Sequence, residues 1–138
     1  MNTTKHPRIG DVYYMEFIGD RNEQSGWRPG IVFQNNVGNA FSPNIIALPL
    51  TTKIKKSCQP THVILPASET GLYKDSMVLC ENPERMSKDR IGKYVTTLSD
   101  KFMSEVAAAN ILASSAISFI DPDKLLVLWQ QAISLNAT

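Results

Sequence analysis

The apolar residues of this chain change period near residue 98. Before it they fall in short runs of aromatic and β-branched residues, separated by Gly, Pro, Asn and Ser, which is the pattern of strands and turns. Residues 9–17 carry Val12, Tyr13, Tyr14 and Phe17 and read as a first strand. Residues 18–27 are polar (Asp20, Arg21, Asn22, Glu23, Gln24) between Gly19 and Gly26, a long hairpin loop of the kind that carries function in a small β domain. Residues 28–34 form the second strand, with Pro29 tolerated near its start. Residues 35–43 turn the chain. Residues 45–50 are apolar throughout and predict a buried strand, Pro49 marking an edge or bulge near its end. Residues 51–59, with Lys53, Lys55 and Lys56, read as a surface loop. Strands follow at 61–66, 75–81 and 91–98, with a turn or single helical turn at 67–74 and a short strand or turn at 82–90.

After residue 98 the apolar positions recur at helical spacing: Phe102, Val106, Ala109, Ala113, Ala116 and Ile120. Ser99 is suited to cap this helix and Asp100 to its first turn. Asp121-Pro122 stops it and starts another, Asp as cap and Pro at the first helical position. Leu125, Leu128, Trp129, Ala132 and Ile133 give the second helix an apolar face, expected to pack on its own chain. Five to seven short strands and then one or two helices predict a single domain over 1–138, a mainly β fold with C-terminal α structure: a small β barrel closed by a helix.

Composition changes this picture little. With 138 residues, 43% hydrophobic and 20% charged, the chain is an ordinary globular domain. A net charge of +1 excludes a histone-like partner mode, although residues 1–60 hold seven Lys/Arg against four Asp/Glu and residues 61–138 seven against nine. Cys58 and Cys80 have no metal-ligand spacing and read as reduced thiols. No apolar run approaches the roughly 20 residues of a membrane span, so a cytoplasmic protein is expected. The chemistry concentrates in residues 26–35. Arg28 sits where a polar loop becomes a strand, rigid on one side and open to solvent on the other, a good place to hold a phosphate or a carboxylate.

Several motifs then fall in one register: Gly10-Asp11-Val12-Tyr13, Glu23-Gln24, Arg28-Pro29 with Val32 and Gln34-Asn35, Val37-Gly38-Asn39, Ser42-Pro43, Pro60-Thr61-His62-Val63, Asp75-Ser76 and Leu98-Ser99-Asp100. Over about residues 8–120 the chain resembles the MazF/PemK family of toxins, leaving 121–138 as an extra C-terminal helix. The resemblance implies an SH3-like barrel, shared with the CcdB gyrase poisons. It implies a metal- and cofactor-independent, sequence-specific endoribonuclease that cuts single-stranded RNA (mRNA), a homodimer, and a cognate antitoxin as partner. Carried over by position, Arg28 matches the family's catalytic arginine and Thr51 its catalytic Thr/Ser. Glu81-Asn82 resembles its acidic residue followed by Gln. The family continues with Arg-Thr-Ile-Asp where this chain has Glu84-Arg85-Met86-Ser87: without a gap Glu84 replaces the arginine, and with a one-residue shift Arg85 supplies it.

The residues themselves suit that chemistry. Cleavage by the RNA's own 2′-OH needs a proton acceptor, a stabiliser of phosphoryl charge and a proton for the leaving 5′-oxygen. Arg28 fits the second task and Glu81 the first, while Thr51 can donate a hydrogen bond or relay a proton. Glu23, Gln24, Trp27, Lys53, Lys55, Lys56, Ser76, Asn82 and Arg85 are candidates for RNA contact, with Trp27 and Phe17 able to stack on bases. His62 fits packing or turn-capping better than acid–base work. Two other readings stay open here: a gyrase-binding poison on the same fold, and an inactive barrel used only for protein binding.

Overall fold

The computed structural model describes residues 6–18, 26–54 and 59–137. Seven strands form one antiparallel sheet: β1 (Asp11–Phe17), β2 (Gly26–Val32), β3 (Asn44–Thr51), β4 (His62–Leu65), β5 (Ser76–Leu79), β6 (Glu84–Ser87) and β7 (Ile91–Thr97). The order is β4-β5-β3-β2-β1-β7, and β3 divides its free side between two partners. Its first half pairs with β6, from Asn44↔Ser87 to Ala47↔Glu84, and its end pairs with β5 through Leu50↔Val78 and Thr51↔Met77. Pro49 therefore lies not on an edge strand but in the central one. It faces Gly30 of β2 on one side and falls in the gap between β6 and β5 on the other, where no ladder needs its missing N–H.

β3, the end of β2 and most of β1 bury both faces, which is why their apolar runs are nearly continuous there. One cluster joins Val12, Ile31, Leu48 and Leu50 to β4, β5 and α3 (Asp100–Ser114). The other joins Tyr13, Met15, Phe17, Val32, Ile45 and Ala47 to Met86 and Ile91. Register shifts between β1 and β7 at Val12/Tyr13 and Tyr13/Met15 bend the sheet. The sheet curls without closing. Its two ends are linked by α2 (Ala67–Thr70), whose Thr70 carbonyl accepts from Thr96 Oγ1 of β7 at 2.9 Å. Gly71 ends α2 in the left-handed region at φ +82°, and a Cβ there would meet Thr96 Oγ1 at 2.9 Å.

Three expectations change. Residues 35–43 hold a short helix, α1 (Asn36–Phe41), whose cap Asn35 accepts from Gly38 N. A single turn of helix satisfies the backbone where Asn and Ser side chains suggested irregular coil. α3 buries Phe102, Val106 and Ala109 as its spacing predicts, but it ends at Ser114, well before Ile120. There Ser114 Oγ donates to Ile111 O and accepts from Ala116 N, and Ser118 Oγ donates to Ser115 O. These hydroxyls offer the backbone alternatives to the helix, and Ser115 turns left-handed at φ 55°. The second helix, α4 (Pro122–Asn136), starts as predicted with Asp121 accepting from Asp123 N, yet none of its residues is buried. Among the described residues, nothing buries its apolar face, so the expected packing on its own chain is not found there.

Cys80 is a buried free thiol, and Cys58 lies outside the described residues. Burial, with the Glu81 carboxylate adding to it, pushes the Cys80 thiol up to about 12. The folded state thus favours the protonated thiol. The stability this contributes is complete at neutral pH and is lost as pH rises from the ordinary thiol value toward 12. Iodoacetamide at pH 8 is expected to leave Cys80 unmodified in the folded protein and to modify it in denaturant; labelling without denaturant would show that this core opens. Among the described residues no helix is long and apolar enough to cross a membrane.

Candidate active site

Three adjoining recesses run across the face where β2 and the end of β3 meet the chain around β5. The middle one, about 180 Å³, is lined by Trp27, Arg28, Thr51, Lys53 and Ser76 among others. The second, about 250 Å³, is lined by Arg28, Pro49, Glu81, Asn82, Pro83 and Glu84. The third, about 230 Å³, shares Tyr14, Pro29, Thr52 and Ser76 with the middle one and adds Tyr73 and Lys74. Shared walls make them one groove, and Arg28 is the wall between the first two.

The strand ladder explains Arg28's position. It is the third residue of β2 and opposes Met15 on β1, and its guanidinium carbon stands 5.1 Å from the centre of the Phe17 ring. Phe17, 1% exposed, is core and cannot stack on a base as well; it supports the arginine from beneath. Among the described residues, Arg28 Nε is the buried side-chain nitrogen or oxygen left without a hydrogen-bond partner. A buried donor without an acceptor costs roughly 1–3 kcal/mol, and an incoming anion recovers that cost.

Thr51 ends β3 opposite Met77 of β5, and Thr51 and Ser76 both line the middle recess. Thr51 Oγ1 accepts from Lys53 N at 3.1 Å, which leaves its own hydrogen free to donate. Ser76 Oγ donates to Lys74 O at 2.9 Å and is buried, so its role here is to shape the wall. Trp27 is 56% exposed and lies over Gly92, where a Cβ would approach the indole to 2.8 Å. The missing side chain on β7 seats the ring at the mouth of the groove, available for stacking.

At the other end, Glu81, which lines the second recess, has its Oε2 2.8 Å from His62 Nε2, and this contact fixes one carboxylate oxygen. Sequence reasoning passed over this pair because it forms between β4 and the chain just past β5, a contact visible only once Leu79 is paired with His62. Glu84 lines the same recess, and Arg85, which follows it on β6 opposite Ile46, is not among the lining residues. Strand alternation sends neighbouring side chains to opposite faces, so Glu84 and not Arg85 shares the recess with Arg28. Arg90 tempers that charge: its NH2 is 3.4 Å from Glu84 Oε1, while its Nε and NH2 donate to Glu16 O. Tyr14 and Tyr73, stacked with centroids 6.4 Å apart, wall the third recess and carried no earlier signal, since Tyr14 reads as a strand residue, Tyr73 as a turn residue, and nothing local pairs them. Glu23, Gln24, Lys55 and Lys56 lie outside the described residues. No group of three or more His, Cys, Asp or Glu among the described residues could hold a metal ion.

The groove thus has a cationic, hydroxyl-lined middle, an acidic end and an aromatic end, on a curled antiparallel sheet backed by a helix. Comparison with known proteins agrees. Residues 8–112 match the model of the PemK-like, MazF-like toxins of type II toxin-antitoxin systems. The chain is 37% identical over 113 residues to endoribonuclease EndoA of Bacillus subtilis, spanning 80% of this chain and 96% of that one. It is 41% identical over 100 residues to endoribonuclease MazF of Staphylococcus saprophyticus, 72% and 83% of the two chains. The fold superposes on MazF from Deinococcus radiodurans with a TM-score of 0.70 at 22% identity, covering 81% and 99%. This chain belongs to the PemK-like, MazF-like toxin family.

Proposed function

We propose that the protein is the toxin of a toxin-antitoxin system, an endoribonuclease that cuts single-stranded RNA without a metal ion and is neutralised by a cognate antitoxin in the cytoplasm. Support comes from family membership and from relatives named as endoribonucleases. The single observation that carries the mechanism is Arg28, with an unpaired buried Nε between a recess holding Thr51 and a recess holding Glu81.

In this reading the scissile phosphate sits on Arg28, which stabilises charge on its non-bridging oxygens, and Thr51 donates a further hydrogen bond to them. Glu81, oriented by His62, accepts the proton of the 2′-OH as that oxygen attacks phosphorus. The bond from phosphorus to the 5′-oxygen breaks, and the leaving oxygen takes a proton from water. The products are a 2′,3′-cyclic phosphate and a 5′-OH, and DNA, lacking the nucleophile, is not cut. Trp27, Tyr14 and Tyr73 offer stacking surfaces along the groove, with Lys53 and Lys74 near the backbone path. Asn82, beside Glu81, is placed to read a base edge.

Purified protein is expected to cut a long single-stranded RNA in EDTA at a restricted set of sites, leaving 5′ ends that ligate only after a kinase treatment. Loss of cleavage in EDTA, or 5′ ends that ligate untreated, would refute the proposed chemistry.

A further inference from the structure

The second helix is the part of the molecule that its own contacts leave unexplained. α4 lies beyond the stretch that matches the family; among the described residues it meets α1, and its hydrogen bonds to the rest of the chain lie at its ends. Asp121 caps its start, and at the other end Asn136 Oδ1 accepts from Asn36 N at 2.8 Å while Asn136 O accepts from Arg8 at 3.4 Å. Between these polar ties Leu125, Leu128, Trp129 and Ile133 form one stripe, and all four are exposed, Trp129 at 63%. Leu126 borders the stripe, and Phe119, 89% exposed, sits just ahead of it. A 15-residue helix is marginal in water unless its apolar face is covered.

We infer that this stripe is a self-association surface, covered by a second copy of the same chain. Two observations select that occupant. The apolar surface exposed along the stripe and at Phe119 is roughly 600 Å², at the top of what a monomer usually leaves bare and most of one partner's share of a standard interface. The surface also carries no charge to recognise an acidic or basic partner: from Leu125 to Thr138 there is no Asp, Glu, Lys, Arg or His. An uncharged stripe suits a two-fold contact, in which each residue meets its own kind and like charges would repel. No residue of α4 lines the groove, so the contact leaves the proposed RNA site open. A dimer formed only through the family-matched part would leave the stripe bare; the inference concerns α4 itself and does not depend on the RNA chemistry.

The full chain with Leu128→Glu and Ile133→Glu tests it by sedimentation equilibrium, beside wild type and a control with Gln130→Glu on the polar side of the helix. The double variant is expected to weaken an association step by about a hundred-fold or more, since it places like charges opposite each other, and the control to leave it unchanged. Trp129 emission, isolated by difference against Trp129→Phe, should shift red on dilution of wild type and be red at all concentrations in the double variant. Equal masses for wild type and double variant would show that any dimer uses another surface and would overturn the inference. So would a wild-type monomer across the micromolar range, or a Trp129 shift seen only when antitoxin is added.

Discussion

Arg28→Ala is expected to lower the rate of RNA cleavage by about 10²–10³-fold, the usual consequence of removing a donor aimed at developing negative charge. The fold should survive. Arg28 is half-buried, its Nε has no partner among the described residues, and its one described packing contact is the face of Phe17. Removing an unsatisfied buried donor relieves a desolvation cost that offsets the lost contact, so stability should change by no more than about 1 kcal/mol. Arg28→Lys is not expected to restore the rate. An ammonium is a single point of charge and cannot present parallel donors to two phosphoryl oxygens. Initial rates on a single-stranded RNA in EDTA, with a thermal melt of each variant, decide the matter. An Arg28→Ala protein that melts like wild type and cuts at a similar rate would remove Arg28 from the mechanism.

Phe17→Ala should cost about 3–5 kcal/mol, a large part of a domain's usual 5–15 kcal/mol. Phe17 is fully buried in the cluster with Tyr13, Met15, Val32, Ile45 and Met86. Its ring lies so close to β2 that a Cβ on Gly30 would come within 2.7 Å of Phe17 Cζ, so the cavity left by truncation opens against backbone that has no side chain to fill it. Phe17→Leu keeps most of the volume and should cost under about 2 kcal/mol. Denaturant unfolding at constant m-value measures both; a loss below 1 kcal/mol for alanine would mean the ring is not packed as described. Because the same ring underlies Arg28, the leucine variant should also cut RNA more slowly than its stability alone explains.

The strands were legible because each carries its own period. Residues 45–50 announced a strand buried on both faces, and Phe102, Val106 and Ala109 announced the face of α3. Arg28 and Thr51 were legible through their match to family motifs, and each ends up in the groove. The division of β3 between β6 and β5 was not legible. It depends on pairing between segments far apart in sequence, and that pairing is what sets Pro49 in a central strand. For the same reason the His62–Glu81 contact and the stacked Tyr14 and Tyr73 had no local signature. Which of Glu84 and Arg85 lines the recess beside Arg28 had no local signature either, since it depends on which face of β6 the paired strand turns to the groove; Glu84 is on that wall.

By itself, then, the sequence determined where most strands run, where the two long helices begin and which side chains could do phosphate chemistry, because hydrophobic period, capping and side-chain functional groups are local properties. The tertiary structure decided which of those groups share a groove and which apolar surface remains uncovered. Arg28 became a centre only when the ladder set Thr51 on one side of it and Glu81 on the other. α4 became an open question only when its stripe was seen to meet no core. Both outcomes rest on long-range pairing and packing, which no window of the chain contains.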